Sequence, residues 1–500
     1  MSRIIGTETE FGIVTQGPRL MDAVSSSTLI VNSYPLLPSQ AVLWDYENEN
    51  PLMDARGFEV DGERERPASD YNRLLNKVLA NGGRFYVDGA HPEYATPECS
   101  NVYDLIAYEK AGERILEQAL SRARHSGSEE RTLHIYKNNT DHKGNSYGYH
   151  ENYLVSRGVP FQKIVDQMMP FLVTRQIFCG AGKVGHENRT EAVSYQISQR
   201  ADFFEALVDL NTMVKRPIIN TRDEPHADPK RYRRLHVIVG DSNMSEVTTF
   251  LKVGTTSLIL AMLEPEGDVA HEASVAYDGI GFQLENPVWA IRAISRDLTL
   301  RKHVKLSGGK EWSAIEIQRA YLDQAERFFE ASDNPTVHAI LHKWRAVLDQ
   351  LAIDPMKLSR EIDWVIKKEM IDSYTARKGW ELSDPRVTML DLQYHDVVQE
   401  KGLYYALERG RHVDRITSSD AVAAAEQNPP TDTRAYFRGA CLKKFPKEVY
   451  AISWSSILFN TAKGIKKVPL MDPLKGGKSS IGTLLERSNT VEELLSMIAA

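Results

Sequence analysis

The sequence has 500 residues, of which 42% are hydrophobic and 26% are charged, and this composition is typical of a folded globular protein rather than a disordered one. Its 61 Lys and Arg residues and 68 Asp and Glu residues give a formal net charge of −7, which argues against a general nucleic-acid-binding protein. The three cysteines are too few for a disulfide framework, and no apolar stretch reaches the roughly 20 residues of a membrane span, so we expect a cytoplasmic protein that does not associate with membranes.

The first 124 residues mix strands with helices. Residues 3–14 are predicted to form a strand that bears charge on one face, and residues 84–88 a second strand. Residues 70–79 resemble a short helix, which the turn sequence at 81–83 ends. Residues 101–124 show the clearest amphipathic pattern and predict a longer helix.

The rest of the chain continues this mixture without strict alternation, which favours an α+β fold with an antiparallel sheet over a doubly wound α/β fold. A long buried helix is predicted over 245–263, with Ser245 as its cap. A linker-like cluster at 426–431 suggests a large domain over 1–427 and a small C-terminal domain over 428–500. Further strands are predicted at 132–138, 149–155, 234–239 and around Trp454, and helices dominate 311–410.

The segment 45–66 differs in composition from its surroundings. It contains eight acidic residues, three arginines and few apolar residues, and it follows no helical or strand period. We interpret it as a mobile acidic surface loop. A tolerated insertion without a function is the alternative interpretation of the same composition.

Glu8 and Glu10 form the first candidate site. Residues two apart on a strand share a face, so both carboxylates point away from the face that carries Thr7, Thr9 and Phe11. Adjacent carboxylates repel each other unless cations lie between them, and hard cations such as Mg²⁺ prefer oxygen ligands. A solvated strand face is the alternative.

Arg84, Tyr86 and Asp88 strengthen the case for a site. They alternate with Phe85 and Val87, so the arginine, the phenol and the carboxylate share the face opposite the apolar pair. An arginine suits a nucleotide phosphate because its guanidinium group can bind two oxygens at once.

The turn that follows this strand adds two candidate residues. Pro92 and Pro97 stiffen it, so that Glu93 and Thr96 are held in place. Glu93 could complete a metal site, and Cys99 is the only plausible thiol nucleophile.

Two histidines and one basic segment complete the candidates. His150 follows a glycine-rich segment, and His236 points away from the apolar face of its strand. A lone histidine of this kind is more often structural than functional. Residues 215–234 hold seven basic residues in an acidic protein. This positive segment could bind phosphates or an acidic partner, or it could be a solvated loop without a function.

Several motifs together resemble the Pup ligase and Pup deamidase family. They are spread over nearly the whole chain, and the run from 84 to 99 is the most specific of them. The family has the carboxylate-amine ligase fold of glutamine synthetase, in which a curved antiparallel sheet with helices on one side binds ATP and Mg²⁺ and a small C-terminal domain follows. The motifs are Gly6 to Gly12, Arg84 to Asp88, His91 to Cys99, Tyr149 to Tyr153, Asn220 to His226 and Ser453-Trp454.

The family has a ligase branch and a deamidase branch, and this sequence resembles the second. It begins its first motif with Gly6-Thr7-Glu8, where the ligases usually have isoleucine in place of the threonine, and it carries the acidic insertion at 45–66. The resemblance implies an ATP- and Mg-dependent enzyme that deamidates the C-terminal glutamine of the protein tag Pup and cleaves Pup from substrate lysines. ATP is then a bound cofactor rather than a consumed substrate.

The resemblance also implies roles for individual residues. Asp88 matches the catalytic aspartate, as nucleophile or as general base. Glu8, Tyr86 and Glu93 resemble Mg²⁺ ligands, and Glu10, His150 and His236 are further members of the metal or nucleotide pocket. The implied ATP contacts are Arg84, Thr96 and Trp454, and Arg200 and Arg222 are implied to contact phosphate or substrate.

Three alternatives remain open at this point. The protein could be a Pup ligase of the same family, a cysteine isopeptidase that uses Cys99, or a non-enzymatic module that binds Pup. The partners implied by the resemblance are Pup and pupylated proteins, without nucleic acid or membrane, and we expect a monomer.

Overall fold

The computed structural model describes residues 3–18, 20–35, 42–62, 66–126, 132–264 and 279–499. Within these ranges, strands and helices are interspersed along the chain, and the helices dominate its second half. The strands are β1 (Ile5–Glu10), β2 (Gly12–Gln16), β3 (Leu43–Trp44), β4 (Met53–Asp54), β5 (Phe58–Glu59), β6 (Asn76–Val78), β7 (Arg84–Asp88), β8 (His91–Ala95), β9 (Thr132–Tyr136), β10 (Tyr149–Ser156), β11 (Lys183–Val184), β12 (Tyr195–Gln196), β13 (Phe204–Asp209), β14 (Arg216–Asn220), β15 (Tyr232–Val237), β16 (His303–Lys305), β17 (Glu311–Ser313), β18 (Val449–Ser453), β19 (Ser456–Thr461) and β20 (Gly464–Pro469).

The helices pack around the sheets, and many begin at a side chain that caps their free N–H groups, as Ser245 does for the sixth. Two short 3₁₀ turns lie at Ala201–Phe203 and Pro355–Leu358. The helices are α1 (Ala23–Ser33), α2 (Ser69–Leu75), α3 (Val102–Ser126), α4 (Phe161–Thr174), α5 (Gln176–Cys179), α6 (Glu246–Leu263), α7 (Pro287–Arg296), α8 (Ala314–Phe328), α9 (Pro335–Ile353), α10 (Asp363–Lys378), α11 (Pro385–Tyr394), α12 (Leu403–Arg409), α13 (Ser419–Gln427), α14 (Ala435–Lys444), α15 (Lys478–Arg487) and α16 (Val491–Ala499).

A six-stranded sheet organises the large domain. Its strand order is β15-β10-β1-β8-β7-β6, and every neighbouring pair is antiparallel. The register places Glu8 opposite His150 and Ala95, and Glu10 opposite Glu93. This arrangement confirms the predicted α+β class, and it aligns the polar residues of neighbouring strands on one face.

Helices cover the other face of this sheet. Apolar side chains of β1, β10 and β15 belong to one buried cluster with residues of α3 and α6, whereas Glu8 and Glu10 lie on the uncovered side. The alternation along β1 follows from the strand period of two, since Thr7 and Thr9 are buried and the glutamates are half-buried. The helix α6 is the one described helix that is long and apolar enough to cross a membrane, but all of its residues are buried inside the protein.

A second, smaller sheet lies in the C-terminal part of the chain. Its order is β20-β19-β18-β3, so that residues 43–44 add a parallel strand to three strands from 449–469. A separate buried cluster joins this sheet to α14, α15 and α16. The domain boundary at residue 427 remains a prediction. One strand from the N-terminal part of the chain, β3, belongs to the C-terminal sheet.

Some predicted elements differ in detail from the structure. The predicted strand at 3–14 is divided at Phe11, because β2 leaves the central sheet and pairs with β9. The predicted helix at 70–79 ends at Leu75, after which β6 joins the sheet. Trp454 lies in the tight turn between β18 and β19 rather than within a strand.

Candidate active site

A cavity of about 390 Å³ lies on the uncovered face of the central sheet. Its walls include eleven of the twelve residues that the sequence predicted for the site. The twelfth, Thr96, lines a smaller adjoining cavity of about 70 Å³, and Glu8 and Trp454 border both cavities. The residues in the larger cavity are Glu8, Glu10, Arg84, Tyr86, Asp88, Glu93, His150, Arg200, Arg222, His236 and Trp454.

Glu10, Asp88 and Glu93 form an all-oxygen cluster. One carboxylate oxygen from each lies within 4.8 Å of the others, because the register aligns Glu10 with Glu93 across β1 and β8. Burial and the charges of Asp88 and Glu8 raise the pKa of Glu93 well above its ordinary value. The oxygen Oε2 of Glu93 is buried without a hydrogen-bond partner in the described part of the chain. These features fit a hard cation such as Mg²⁺.

Glu8, His150 and His236 form a second cluster of possible ligands. Burial alone would raise the pKa of Glu8, but the hydrogen bond with His150 and the charge of Arg234 lower it to about 2. Burial and Arg234 hold the pKa of His236 well below its ordinary value, so its ring is neutral. Its Nδ1 lies 2.9 Å from the amide oxygen of Asn152. This mixed set of oxygen and nitrogen is less typical of Mg²⁺ than the first cluster.

Tyr86 lies between these acidic residues and Arg84. Its hydroxyl donates a 2.6 Å hydrogen bond to Oε1 of Glu93. Burial and the neighbouring carboxylate of Glu93 raise the pKa of the phenol well above its ordinary value. The structure therefore places Tyr86 as a neutral donor to a predicted metal ligand, and its direct binding of Mg²⁺ remains a prediction.

Arg84 is held by aromatic rings and amides. Its guanidinium carbon lies 3.8 Å from the ring centre of Tyr86 and 4.1 Å from that of Trp44. Its Nε donates a 2.9 Å hydrogen bond to Oδ1 of Asn76. Trp454 packs edge-on against Trp44, with ring centres 5.2 Å apart. This end of the cavity combines a fixed cation with aromatic faces.

Asp88 lies at the mouth of the cavity, where solvent reaches its side chain. Crowding by the cleft walls and the charge of Glu10 nonetheless raise the pKa of its carboxyl group, while His150 and Arg222 oppose that rise. The Nε of Arg222 is buried and has no hydrogen-bond partner among the residues described. Asp88 is thus the accessible member of the all-oxygen cluster, and the charge of Arg222 acts on it.

The acidic segment contains a short hairpin in its described part, and its mobility remains a prediction. In its described part, β4 and β5 form a hairpin in which Asp54 is buried and accepts a 2.6 Å hydrogen bond from the hydroxyl of Thr221. The amide of Ala55 donates to the carbonyl of Thr221 at 2.7 Å. Polar contacts hold this hairpin, which is why composition did not reveal it. Residues 63–65 lie outside the described residues.

We expect Asp54→Ala to release this hairpin from the large domain. The change leaves the buried hydroxyl of Thr221 without its acceptor, and the loss of such a partner costs about 1–3 kcal/mol. Limited proteolysis should then cut within residues 45–62 faster than in the unchanged protein. Asp61→Asn, at an exposed position of the same segment, is the control and should leave the cleavage rate unchanged. Equal rates for Asp54→Ala and the unchanged protein would contradict this prediction.

Cys99 does not have the properties of a nucleophile. Its side chain is fully buried, and burial together with Asp104 raises the pKa of the thiol well above its ordinary value. It lines neither of the two cavities described above. The hypothesis of a cysteine isopeptidase is therefore wrong for this residue.

The structure adds residues to the site that the sequence did not single out. His91 places Nδ1 3.3 Å from Glu10, and Arg234 lies 3.4 Å from Glu8. Tyr46 and Glu49, from the acidic segment, line the larger cavity. Arg234 was visible only as part of a basic segment, and nothing in the local pattern marked Tyr46 or Glu49.

Comparison with curated proteins shows full-length similarity. The chain is 45% identical over 510 aligned residues to a protein of Acidothermus cellulolyticus named depupylase, covering 100% of this chain and 99% of the relative. It is 43% identical over 511 residues to a Mycobacterium tuberculosis protein named Pup deamidase/depupylase, with the same coverage. A Pup–protein ligase of Actinosynnema mirum is 48% identical over 380 residues, which are 75% of this chain and 81% of the relative.

Two solved structures share the fold. The ligase PafA in complex with Pup superposes with a TM-score of 0.80 at 34% identity, covering 99% of this chain and 94% of that one. PafA in complex with ADP superposes with a TM-score of 0.73 at 36% identity, covering 86% of this chain and 96% of that one. The family model described as Pup-ligase protein matches residues 3–458. The resemblance seen in the sequence motifs is confirmed, and the chain belongs to the Pup-ligase protein family.

Proposed function

We propose that this protein is a hydrolase that deamidates the C-terminal glutamine of Pup and cleaves the isopeptide bond between Pup and substrate lysines. The observation that carries the proposal is the accessible carboxylate of Asp88 within the all-oxygen cluster that it forms with Glu10 and Glu93. Relatives named as depupylases align over the whole chain, whereas the Pup–protein ligase of Actinosynnema mirum aligns over 75% of it. A cytoplasmic monomer is part of the same proposal.

The nucleotide would occupy both cavities. Thr96 and Trp454 line the smaller cavity, whose largely apolar lining suits a purine base. Arg84 and Arg222 line the larger cavity, where they suit the phosphates. This placement is in keeping with the ADP bound to the solved relative. Hydrolysis of an amide is downhill, so we propose ATP as a bound cofactor that is not consumed.

Glu10 and Glu93 would hold Mg²⁺ in the oxygen cluster, with Glu8, His150, His236 and Tyr86 as further candidates. When bound, Mg²⁺ would supply a positive charge that offsets these carboxylates and polarises an oxygen of nucleotide or substrate. Tyr86 would orient Glu93 through the hydrogen bond to its Oε1.

Asp88 would act on the carbonyl group of the substrate in one of two ways. As nucleophile, its carboxylate oxygen bonds to the carbonyl carbon, the C–N bond breaks, and the nitrogen takes a proton and leaves as ammonia or as the lysine amine. Water then hydrolyses the acyl-aspartate. As general base, Asp88 takes a proton from the attacking water instead. The accessible position of its side chain suits both routes.

We expect Glu8→Ala to weaken the binding of Mg-nucleotide. Glu8 borders both cavities and accepts hydrogen bonds from Asn152 at 3.1 Å and His150 at 3.3 Å, so its loss removes a negative charge and disorders their side chains. Loss of one contact to a charged group corresponds to a roughly 10- to 100-fold lower affinity. Calorimetry with Mg-ADP measures this, and Glu205→Ala, an exposed glutamate on β13, is the matched control. Unchanged affinity in Glu8→Ala would contradict the predicted site.

The alternative of a ligase is tested by conjugation. Pup that ends in glutamate is incubated with ATP, Mg²⁺, a lysine-containing protein and this enzyme, and a preformed Pup conjugate is incubated in parallel. We expect the conjugate to be cleaved and no new conjugate to form. Formation of new conjugate without cleavage of the old one would assign the protein to the ligase branch, and binding without either reaction would make it a Pup-binding module.

A further inference from the structure

One buried arginine contacts Trp454 from outside the two cavities. Nη1 of Arg438, on α14, donates a 3.0 Å hydrogen bond to the carbonyl oxygen of Trp454. The guanidinium carbon of Arg438 also lies 5.1 Å from the centre of the Trp454 ring, within the range of a cation–π contact. Arg438 is 1% exposed and lines neither cavity, whereas Trp454 borders both. Arg438 therefore holds the main chain and the ring of a site residue without reaching the site itself.

The guanidinium group of Arg438 is fixed by partners from the large domain. Its Nη1 donates a 2.8 Å hydrogen bond to Oε1 of Glu98, and its Nη2 contacts Oε2 of the same carboxylate. Nη2 also donates a 3.0 Å hydrogen bond to the carbonyl oxygen of Gly82. A planar guanidinium group bound to a carboxylate at two points cannot rotate without breaking both contacts. The position of Trp454 is thereby tied to Glu98, which follows β8.

The turn that carries Trp454 belongs to the small C-terminal sheet. It joins β18 to β19, and the Trp454 ring packs edge-on against Trp44 of β3 in the same sheet. Thr96, the other predicted contact of the nucleotide in the smaller cavity, lies instead at the end of β8, two residues before Glu98. The contact between Arg438 and Glu98 therefore helps to set the separation between Trp454 and Thr96.

We propose that Arg438 is a positioning residue for the base of the bound nucleotide. It holds the Trp454 ring where the base packs against it, and it does not touch the nucleotide. This proposal rests on the proposed function, in which the smaller cavity lined by Thr96 and Trp454 takes a purine base. A ring that is already fixed loses little further freedom when a base stacks on it, so fixing the ring strengthens binding.

A double-mutant cycle with calorimetry of Mg-ADP tests this role. Trp454→Ala should weaken binding about 5- to 150-fold, the range for the loss of one stacked base–aromatic contact. Arg438→Lys keeps the charge beside Glu98 but cannot also hold Gly82 and Trp454, so it should weaken binding roughly 2- to 10-fold, the value of one hydrogen bond. In the Trp454→Ala background, Arg438→Lys should have no further effect. Additive effects, or full affinity in Arg438→Lys, would overturn the proposal.

Mg-pyrophosphate is the second probe, because it carries phosphates without a base. Its affinity should be the same in Arg438→Lys and in the unchanged protein, and a parallel loss would overturn the proposal. Arg175→Lys is the matched control, since Arg175 forms a buried two-point pair with Glu151 and lines neither cavity. It should leave Mg-ADP affinity unchanged, and an equal loss in this control would also overturn the proposal. Circular dichroism confirms that each variant is folded.

Fluorine NMR of protein labelled with 5-fluorotryptophan separates this proposal from the proposed function. The Trp454 resonance, assigned by its absence in Trp454→Ala, should shift or broaden in Arg438→Lys before nucleotide is added. The resonance of Trp344, buried in the helical core, should not change. An unchanged Trp454 resonance in Arg438→Lys would overturn the positioning role. In the unchanged protein, binding of Mg-ADP without a change in the Trp454 resonance would count against the proposed placement of the base, whatever the effect of Arg438→Lys on the ring.

Discussion

Replacing Asp88 by asparagine should abolish both deamidation and depupylation while nucleotide and Pup still bind. The substitution keeps the shape of the side chain but removes the negative oxygen that attacks the carbonyl carbon or accepts the proton of water. Loss of a general base typically lowers the rate about 10²- to 10⁴-fold, and loss of a nucleophile costs at least as much. Glu10, Glu93 and Glu8 remain to hold Mg²⁺. Release of ammonia from glutamine-ended Pup measures the rate, and calorimetry measures the two affinities.

The control for this variant is Asp333→Asn, an exposed aspartate between α8 and α9 that lies outside the cavity. It should retain full activity. A residual rate above about a tenth in Asp88→Asn would lie outside the range expected for a base and would remove the catalytic assignment. If nucleotide binding disappeared together with activity, Asp88 would instead be a member of the nucleotide site.

Glu98→Gln should destabilise the whole protein. Glu98 follows β8 and accepts hydrogen bonds from Nε of Arg434 at 2.7 Å and from Nη1 of Arg438 at 2.8 Å, so it joins the central sheet to α14. All three residues are buried. Removing the acidic member leaves two buried cations without a counter-charge, and breaking such a buried pair costs about 3–5 kcal/mol. Denaturant unfolding measures this, and Asp349→Asn, from an exposed pair with Arg319, should cost no more than about 1 kcal/mol.

The same triad predicts a pH dependence. Burial alone would raise the pKa of Glu98, but Arg438 and Arg434 lower it to about 2. A carboxyl group whose pKa is lowered by folding stabilises the protein above its unfolded pKa of about 4.5, and this contribution is lost as the pH falls toward 2. Glu98→Gln should therefore lose less stability than the unchanged protein between pH 4.5 and pH 2. Equal slopes would contradict the role of the triad.

The local pattern of the sequence was sufficient to predict which side chains share a face. The strand period of two placed Glu8 with Glu10, and Arg84 with Tyr86 and Asp88. In the structure all five side chains line the larger cavity. It was not sufficient to predict the cross-strand register. The alignment of Glu10 with Glu93 depends on the pairing of β1 with β8, a long-range contact without a local signal.

Other parts of the site depend on long-range polar contacts. The hairpin of β4 and β5 is held by polar contacts such as the hydrogen bond from Thr221 to Asp54, so its composition resembled that of a free loop. Arg216 was visible only as one of seven basic residues, and its meeting with Arg200 at Ser146 depends on tertiary structure. The strand period did not indicate what each residue of the site does, and those roles were inferred from the resemblance of the motifs to the family.

The most direct test of the central claim is the mass of glutamine-ended Pup after incubation with this protein, Mg²⁺ and nucleotide. We expect the terminal amide to be converted to a carboxylate, with one equivalent of ammonia released and no conjugate formed. The conversion should require nucleotide, while the amount of ATP hydrolysed stays far below the amount of ammonia. Unchanged Pup in the presence of Mg-ATP, with the nucleotide shown to be bound, would contradict the account.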